Sequence, residues 1–424
     1  MNTKELKIYL SGGRCPEIAM IYKDTASACK RYISALDSFV EKYGERENVM
    51  LLSVPGRSEI LGNHTDHNNG KVLAGAIDRD IIAVAAKNDS GAVRLLSEGY
   101  DEDVVDISDS SSPEKFENFT SRSLIAGMVH GIGSAGYEVG GFDAYTTSDV
   151  LKGSGISSSA AYEVMIGNII NHLYCGGAIS NVEIAKIAQY SENVYFGKPS
   201  GLMDQMACAV GGFVYIDFKD PKEPIVAPLE FSLSDAGYEL CIVNTGGNHA
   251  DLNEDYASVP GEMKAVAAIL GKPTLCGTAV SEILANAKQI RGAAGDRAFL
   301  RAMHFAKENE RVERGFAALK NKNIEGFFKT VKESGASSFQ YLQNVYTNKN
   351  VREQGISVAL AVTDGALGDA IPAFRVHGGG FAGTIQAYVK RERADEYEAL
   401  MNSVFGDGSV MRLSVRPYGA VKVL

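Results

Sequence analysis

Pro55-Gly-Arg-Ser-Glu-Ile-Leu-Gly-Asn-His-Thr-Asp-His-Asn-Asn-Gly70 is the stretch on which the reading of this chain turns. It crowds Arg57, His64, Asp66 and His67 into a run bracketed by Pro55, Gly56, Gly62 and Gly70. Glycine and proline at this density shape a loop, and loops on a rigid scaffold carry binding and catalytic side chains. Donors and acceptors packed so closely suit a ligand made mostly of hydroxyl groups, such as a sugar. A polar surface turn is the plainer alternative, and two further loops bear on the choice.

The chain has 424 residues, too many for one ordinary core, which sets two domains as the expectation. An apolar content of 45% with 22% charged residues is that of a soluble globular protein. The net charge of −10 argues against nucleic acid as a partner, because a phosphate backbone attracts basic surfaces. Small phosphorylated ligands stay admissible, since backbone N–H groups and a few local cations can hold them. The first residues lack the apolar run of a signal peptide, and no later segment reads as a bilayer span. The six cysteines show neither C-x-x-C pairing nor zinc spacing and read as reduced thiols. The expectation is a cytoplasmic protein, monomeric, with no membrane and no nucleic-acid partner.

Outward from the opening stretch, residues 50–54 read as a short strand leading into a loop over 55–70. Residues 72–86 read as strands broken near Asp78-Arg79-Asp80, and 92–97 as another strand. The acidic, serine-rich run 101–113 reads as a solvated loop or edge. Helices are expected over 20–45, 123–132, 160–174 and 181–195, and strands over 140–148 and 239–244. The charged turn Lys219-Asp-Pro-Lys-Glu-Pro224 marks a domain boundary. The expected division is a helical extension over 1–45, a first domain over 46–220 and a second over 221–424.

Three loops carry chemistry. The opening stretch is the first. In the second, Gly153-Ser-Gly-Ile-Ser-Ser-Ser159 follows a strand and opens a helix. Its glycines let backbone N–H groups approach a ligand, and a helix N-terminus offers unpaired donors and partial positive charge, together an anion site. Serine hydroxyls add phosphate donors and an oxygen ligand for Mg2+. An ordinary serine N-cap is the alternative. Downstream, Glu192 and Asp204 flank the turn Gly197-Lys-Pro-Ser-Gly201; one carboxylate near a reacting hydroxyl can take its proton while another holds magnesium. The third loop, Gly378-Gly-Gly-Phe-Ala-Gly383, sets four glycines where backbone passes close to a nucleotide or to a packed strand.

In this order and at these separations the three loops resemble the motifs of the GHMP kinases. The stretch over 55–70 resembles the galactokinase signature G-R-x-N-x-I-G-E-H-T-D-Y-N-x-G. The resemblance implies an α+β fold of two domains with the active site in the cleft between them. It also implies ATP-dependent transfer of the γ-phosphoryl group to the anomeric hydroxyl of galactose, with ATP and Mg2+ as cofactors. Position by position, it makes Arg57 and Asp204 catalytic, the first stabilising charge and the second orienting or deprotonating the hydroxyl. Asn63, His64, Thr65, Asp66 and Tyr256 fall on sugar-binding positions. Gly153, Ser154, Gly155, Ile156, Ser157, Ser158 and Ser159 form the phosphate loop, Ser97 aligns with a serine near the nucleotide, and Ser159 and Glu192 match the magnesium ligands. Asn244-Thr-Gly-Gly-Asn-His249, upstream of Tyr256, resembles a further segment of the family.

Four positions depart from the pattern: Asn63 replaces the usual Glu, His67 the Tyr, Glu59 the Asn of R-x-N, and Leu151 the proline that opens the phosphate loop. The family's Glu helps bind the hydroxyl on sugar carbon 6, so Asn63 leaves galactose admissible and opens alternatives. These are a sister kinase for galacturonate, N-acetylgalactosamine or arabinose, a kinase-derived sugar sensor, and a non-enzymatic structural protein.

Overall fold

In the computed structural model, which describes residues 1–150, 155–198, 200–247 and 252–424, two long strands organise the chain. β1 (Met50–Leu61) and β2 (Lys71–Lys87) each run from one compact unit into the other. Unit 1 comprises Met1–Arg57, Ala76–Gly211 and Arg416–Leu424; unit 2 comprises Ser58–Gly75 and Gly212–Val415. This division differs from the one expected from sequence. The first 45 residues belong to unit 1, the last nine return to it, and the break falls at Gly211 rather than after residue 220.

Unit 1 opens with α1 (Thr3–Ser11), α2 (Pro16–Ile21) and α3 (Thr25–Tyr43). A capping box starts α1: Asn2 Oδ1 accepts from the Glu5 amide and the Asn2 amide donates back to the Glu5 carboxylate. Ala28, Cys29, Tyr32, Ala35, Leu36, Phe39 and Tyr43 form one buried stripe along α3. That stripe packs on Leu51 of β1 and on Ile82, Val84 and Ala86 of β2, each large apolar side chain contributing roughly 1.5–3 kcal/mol. The 81–87 half of β2 pairs antiparallel with β5 (Phe142–Ser148). β5 lies parallel to β3 (Ala92–Ser97), which pairs with β4 (Asp103–Asp106). On this scaffold stand α4 (Ser121–Ser134), α5 (Ser158–Tyr174), α6 (Asn181–Ser191) and α7 (Met203–Val210).

Two expectations for this region are corrected. Residues 55–61 continue β1 as strand, buried throughout, so the loop begins only at Gly62. A strand covered on both faces shows no alternation, and its proline and glycine imitate a turn. β2 is unbroken at 78–80. Asp80 is buried there because Arg31 Nη1 at 2.5 Å and Arg416 Nη1 at 3.1 Å neutralise it, with Ser53 Oγ donating at 2.5 Å. Burial alone would raise the Asp80 pKa, but the two guanidiniums hold it below the usual range. The acidic run over 101–113 supplies the edge strand β4, the second of its two expected forms.

Unit 2 pairs the 71–75 half of β2 with β6 (Phe213–Asp217), and β6 with β7 (Ile225–Leu229). A separate antiparallel sheet is formed by β8 (Tyr238–Asn244), β9 (Ala373–His377), β10 (Thr384–Lys390) and β11 (Val410–Leu413), in the order β11-β8-β10-β9. The helices are α8 (Asn253–Ile269), α9 (Val280–Ala285), α10 (Ala287–Ala294), α11 (Asp296–Lys320), α12 (Ile324–Ser337), α13 (Gly355–Gly365) and α14 (Ala394–Phe405). Among the described residues no helix is long and apolar enough to cross a membrane.

Candidate active-site residues

In unit 1, the amide of Arg57 donates to Ile156 O at 3.1 Å, which ties the end of the unit's β1 segment to the loop before α5. Gly56 permits that approach: a Cβ there would lie 2.8 Å from the same carbonyl oxygen. Arg57 then forms a two-point pair with Asp204, Nε to Oδ1 at 2.7 Å and Nη2 to Oδ2 at 2.8 Å, while Nη1 donates to Gly155 O at 2.7 Å. Planar fork geometry of this kind fixes both side chains. Burial would push the Asp204 pKa up, but the adjacent guanidinium and the Ser157 hydroxyl hold it below the usual carboxylate range. Asp204 is therefore ionised at neutral pH.

Ser157 occupies the N-cap position of α5 with φ +61°, yet its side chain caps no helical amide. Its Oγ donates to Asp204 Oδ2 at 2.5 Å instead. The ordinary serine cap is thus ruled out here, and the amino end of α5 keeps its unpaired donors and positive partial charge. Gly155 has φ +76°, Ile156 is fully buried, and Ser158 is the first residue of α5. Ser159 Oγ lies 3.4 Å from Glu192 Oε1. Glu192, at the head of a π-turn after α6, also accepts from Gln205 Nε2 at 2.7 Å and Ser200 Oγ at 2.6 Å. Neighbouring Glu163 is fully buried, and that burial and the Glu192 charge raise its pKa well above the ordinary value. Ser97, at the end of β3, exchanges a hydrogen bond with Thr146 across to β5 at 2.9 Å. Gly153 and Ser154, like Leu151 and His249, lie outside the described residues.

In unit 2 the glycine-rich turn between β9 and β10 collects the sugar-signature side chains on its carbonyl oxygens. Gly378 O accepts from Asn63 Nδ2 at 2.7 Å, Gly379 O pairs with His64 Nε2 at 2.8 Å and Asn344 Nδ2 at 3.1 Å, and Gly380 O accepts from Tyr256 OH at 2.7 Å. The glycines are required: a Cβ on Gly379 would meet the Tyr256 ring at 2.6 Å, and one on Gly380 would meet Asn344 O at 2.0 Å. His64 takes φ +59°. Burial drives its pKa down to about 3, so the ring is neutral. With Nε2–H donating to Gly379 O, its Nδ1 carries a lone pair, buried and unpartnered among the described residues, as is Asn344 Oδ1. Both are acceptors suited to hydroxyl groups. Asp66 opens the short turn Asp66–Asn68, its Oδ1 accepting from the adjacent His67 amide at 3.0 Å.

Asn63 and Thr65 differ from the sequence expectation. The Asn63 amide donates to Glu59 Oε1 at 3.0 Å and Gly378 O; its Oδ1 accepts from Asn344 Nδ2 at 2.7 Å and Ser338 Oγ at 3.3 Å. Two donors and two acceptors are the full capacity of a carboxamide, so this side chain is spent within the protein. Thr65 Oγ1 likewise closes the loop onto the Gly62 and Lys71 carbonyls at 2.8 and 2.6 Å.

Sequence motifs also miss the buttress beneath the loop. On α11, His304, Glu308 and Arg311 form one buried polar face. Glu308 Oε1 accepts the Gly62 amide at 3.0 Å, and His304 Nε2 pairs with the Asn63 carbonyl at 3.0 Å. Behind them, Arg311 Nη2 donates to Ser337 Oγ at 2.7 Å, and that hydroxyl meets His304 Nδ1 at 2.9 Å. Burial lowers the His304 pKa to about 4, which fixes the ring as neutral. The three- and four-residue spacing of His304, Glu308 and Arg311, in line with buried Gly315, is the one signal in the sequence, and it is a polar one.

Comparisons with known proteins bear on the family and the fold. Residues 123–212 match the family model described as the GHMP kinases N terminal domain, and residues 37–87 match the galactokinase galactose-binding signature. The fold matches the structure of Lactococcus lactis galactokinase complexed with galactose, with a TM-score of 0.78 at 24% identity, over 92% of this chain and all of that one. It also matches Methanococcus jannaschii mevalonate kinase, with a TM-score of 0.59 at 15% identity, over 87% of this chain and 99% of that one. These matches and the relatives that follow define an ATP-dependent kinase of the GHMP class. The galactokinase of Streptomyces coelicolor is 30% identical over 87% of this chain and 92% of its own length. That of Clostridium tetani is 28% identical over 85% and 88%. The chain belongs to the galactokinase family.

Proposed function

We propose that the chain phosphorylates D-galactose at its anomeric hydroxyl with ATP, giving galactose 1-phosphate and ADP. The observation that carries this reading is the Arg57–Asp204 pair fastened to Gly155 and Ser157 at the amino end of α5. Phosphoryl transfer depends mainly on positioning and on charge stabilisation. Asp204 Oδ1 accepts Arg57 Nε, which leaves its second lone pair to accept the proton of a sugar hydroxyl. Arg57 and the donors at the α5 terminus balance charge on the phosphoryl oxygens.

Ser159 and Glu192 would hold Mg2+. Among the described residues no group of three or more acidic, histidine or cysteine side chains is gathered for a metal. A hydroxyl plus one carboxylate, leaving further positions to water and phosphate, suits this ion. When bound it would act as a Lewis acid on the phosphate oxygens.

The exchange of Glu for Asn at 63 does not favour a uronate reading, because the Asn63 amide is spent on protein partners and the acceptors that remain, His64 Nδ1 and Asn344 Oδ1, suit hydroxyl donors. Coupled ADP release across hexoses, uronates, amino sugars and pentoses tests the substrate. Asp204→Asn is expected to lower kcat by about a hundredfold or more with the sugar KM largely kept. Near-normal turnover in a folded variant would defeat the assignment.

A further inference from the structure

The Glu192 side chain is 2% exposed and both of its oxygens are occupied. Oε2 accepts from Ser200 Oγ and Gln205 Nε2. Oε1 accepts from Lys198 Nζ at 2.9 Å and faces Ser159 Oγ at 3.4 Å. A divalent ion shared by Ser159 and Glu192 therefore needs Oε1, the oxygen that the ammonium holds. Lys198 is the partner able to leave: its side chain is 52% exposed, and it lies outside any helix or strand, directly after Gly197 with φ +81°. Its charge acts on Glu163 and Asp204 as well as on Glu192. Glu163 Oε1, fully buried and without a partner among the described residues, is a further oxygen beside this cluster.

We propose that Lys198 is a resident counter-cation of Glu192, exchanged for the divalent ion when the metal–nucleotide complex enters. The inference rests on the proposed metal role of Ser159 and Glu192. A buried carboxylate left without a cation is costly, and lysine fits the task of a removable one. Its ammonium is compact and strongly hydrated and rides on a flexible stem, so departure into water restores its solvation. An arriving ion has to displace a charge already in place, so the nucleotide-free protein binds it weakly. Phosphate oxygens supply the missing ligands when ATP accompanies it.

The test uses Mn2+ as probe, with free ion counted by electron paramagnetic resonance, on the full chain without nucleotide or sugar. Lys198→Met is expected to bind Mn2+ about tenfold more tightly than the unaltered protein, or better, because no ammonium then competes for Oε1. Lys198→Gln, a second neutral variant, is expected to behave alike, and thermal melting confirms that each is folded. Equal or weaker binding in the neutral variants overturns the exchange. Adding Glu192→Gln to Lys198→Met is expected to abolish the tight site. Retention of that site would instead overturn the metal assignment at Glu192, so the two failures are distinguishable.

Discussion

Asn63→Asp tests the closed hydrogen-bond set under the signature loop. The carboxamide nitrogen now donates to Glu59 Oε1 at 3.0 Å and Gly378 O at 2.7 Å. An aspartate puts an oxygen in its place, so two donor–acceptor contacts become acceptor–acceptor contacts in a fully buried position. Each such loss costs about 1–3 kcal/mol, and together they should lower stability by roughly 4 kcal/mol near neutral pH. Glu59 stays paired with Arg375 Nη2 at 2.9 Å, so the new carboxylate also faces a standing negative charge. Burial and that charge raise the pKa of the introduced group above its unfolded value of about 3.9. Between those two values the native state binds the extra proton, so stability falls as pH rises through the window and the deficit shrinks on acidification. Urea unfolding of variant and parent at pH 5 and pH 8 measures the difference directly, with the buried histidines common to both cancelling. A deficit under about 1 kcal/mol at pH 8, or one of the same size at both pH values, would refute the saturated-amide assignment.

Two further outcomes follow from the same unit. His64 and His304, with pKa values lowered to about 3 and about 4 by burial, refuse protons that the unfolded chain accepts below about 6.5. Stability should therefore fall as pH drops from about 6.5 towards 4, by up to about 1.4 kcal/mol per pH unit for each ring, and His304→Gln should flatten that slope in urea titrations. Gly380→Ala, with φ +82° and a backbone oxygen 2.0 Å from the new carbon, should cost roughly 3 kcal/mol or more in melting experiments and raise the sugar KM.

The chemistry was far more legible in the sequence than its support. Arg57, Ser157 and Asp204 sit in glycine-rich motifs, whose unusual composition survives in one dimension. His304, Glu308 and Arg311 lie in a helix dense with charge, where polar residues at core positions do not register as apolar periodicity. Asn63 was legible as a departure from the family's signature, but not as a side chain whose four hydrogen bonds are all internal. Helices α3, α4, α5 and α6 are legible within a few residues because their stripes are apolar, whereas the short α1, α2 and α7 are not. The long strands were not, since Pro55 and Gly56 punctuate β1 and Asp78-Arg79-Asp80 interrupts the apolar run of β2. The division into units was hidden for a related reason: β1 and β2 cross it as continuous strands, with no linker for composition to mark.

Arg416, which donates to Ser53 Oγ at 2.8 Å and to Asp80, belongs with Gly419 to a tail that completes unit 1. Gly419 and Gly211 approach so closely that a Cβ on Gly211 would stand 2.1 Å from the Gly419 nitrogen. On the ribosome, residues 1–57 and 76–211 must therefore wait for residues 416–424 to be made. Until residues 416–424 are released, Asp80 lacks one of its two guanidinium partners. Unit 1 thus cannot close until that distant segment has been made, and a fragment cut near residue 220 would inherit that incompleteness for good.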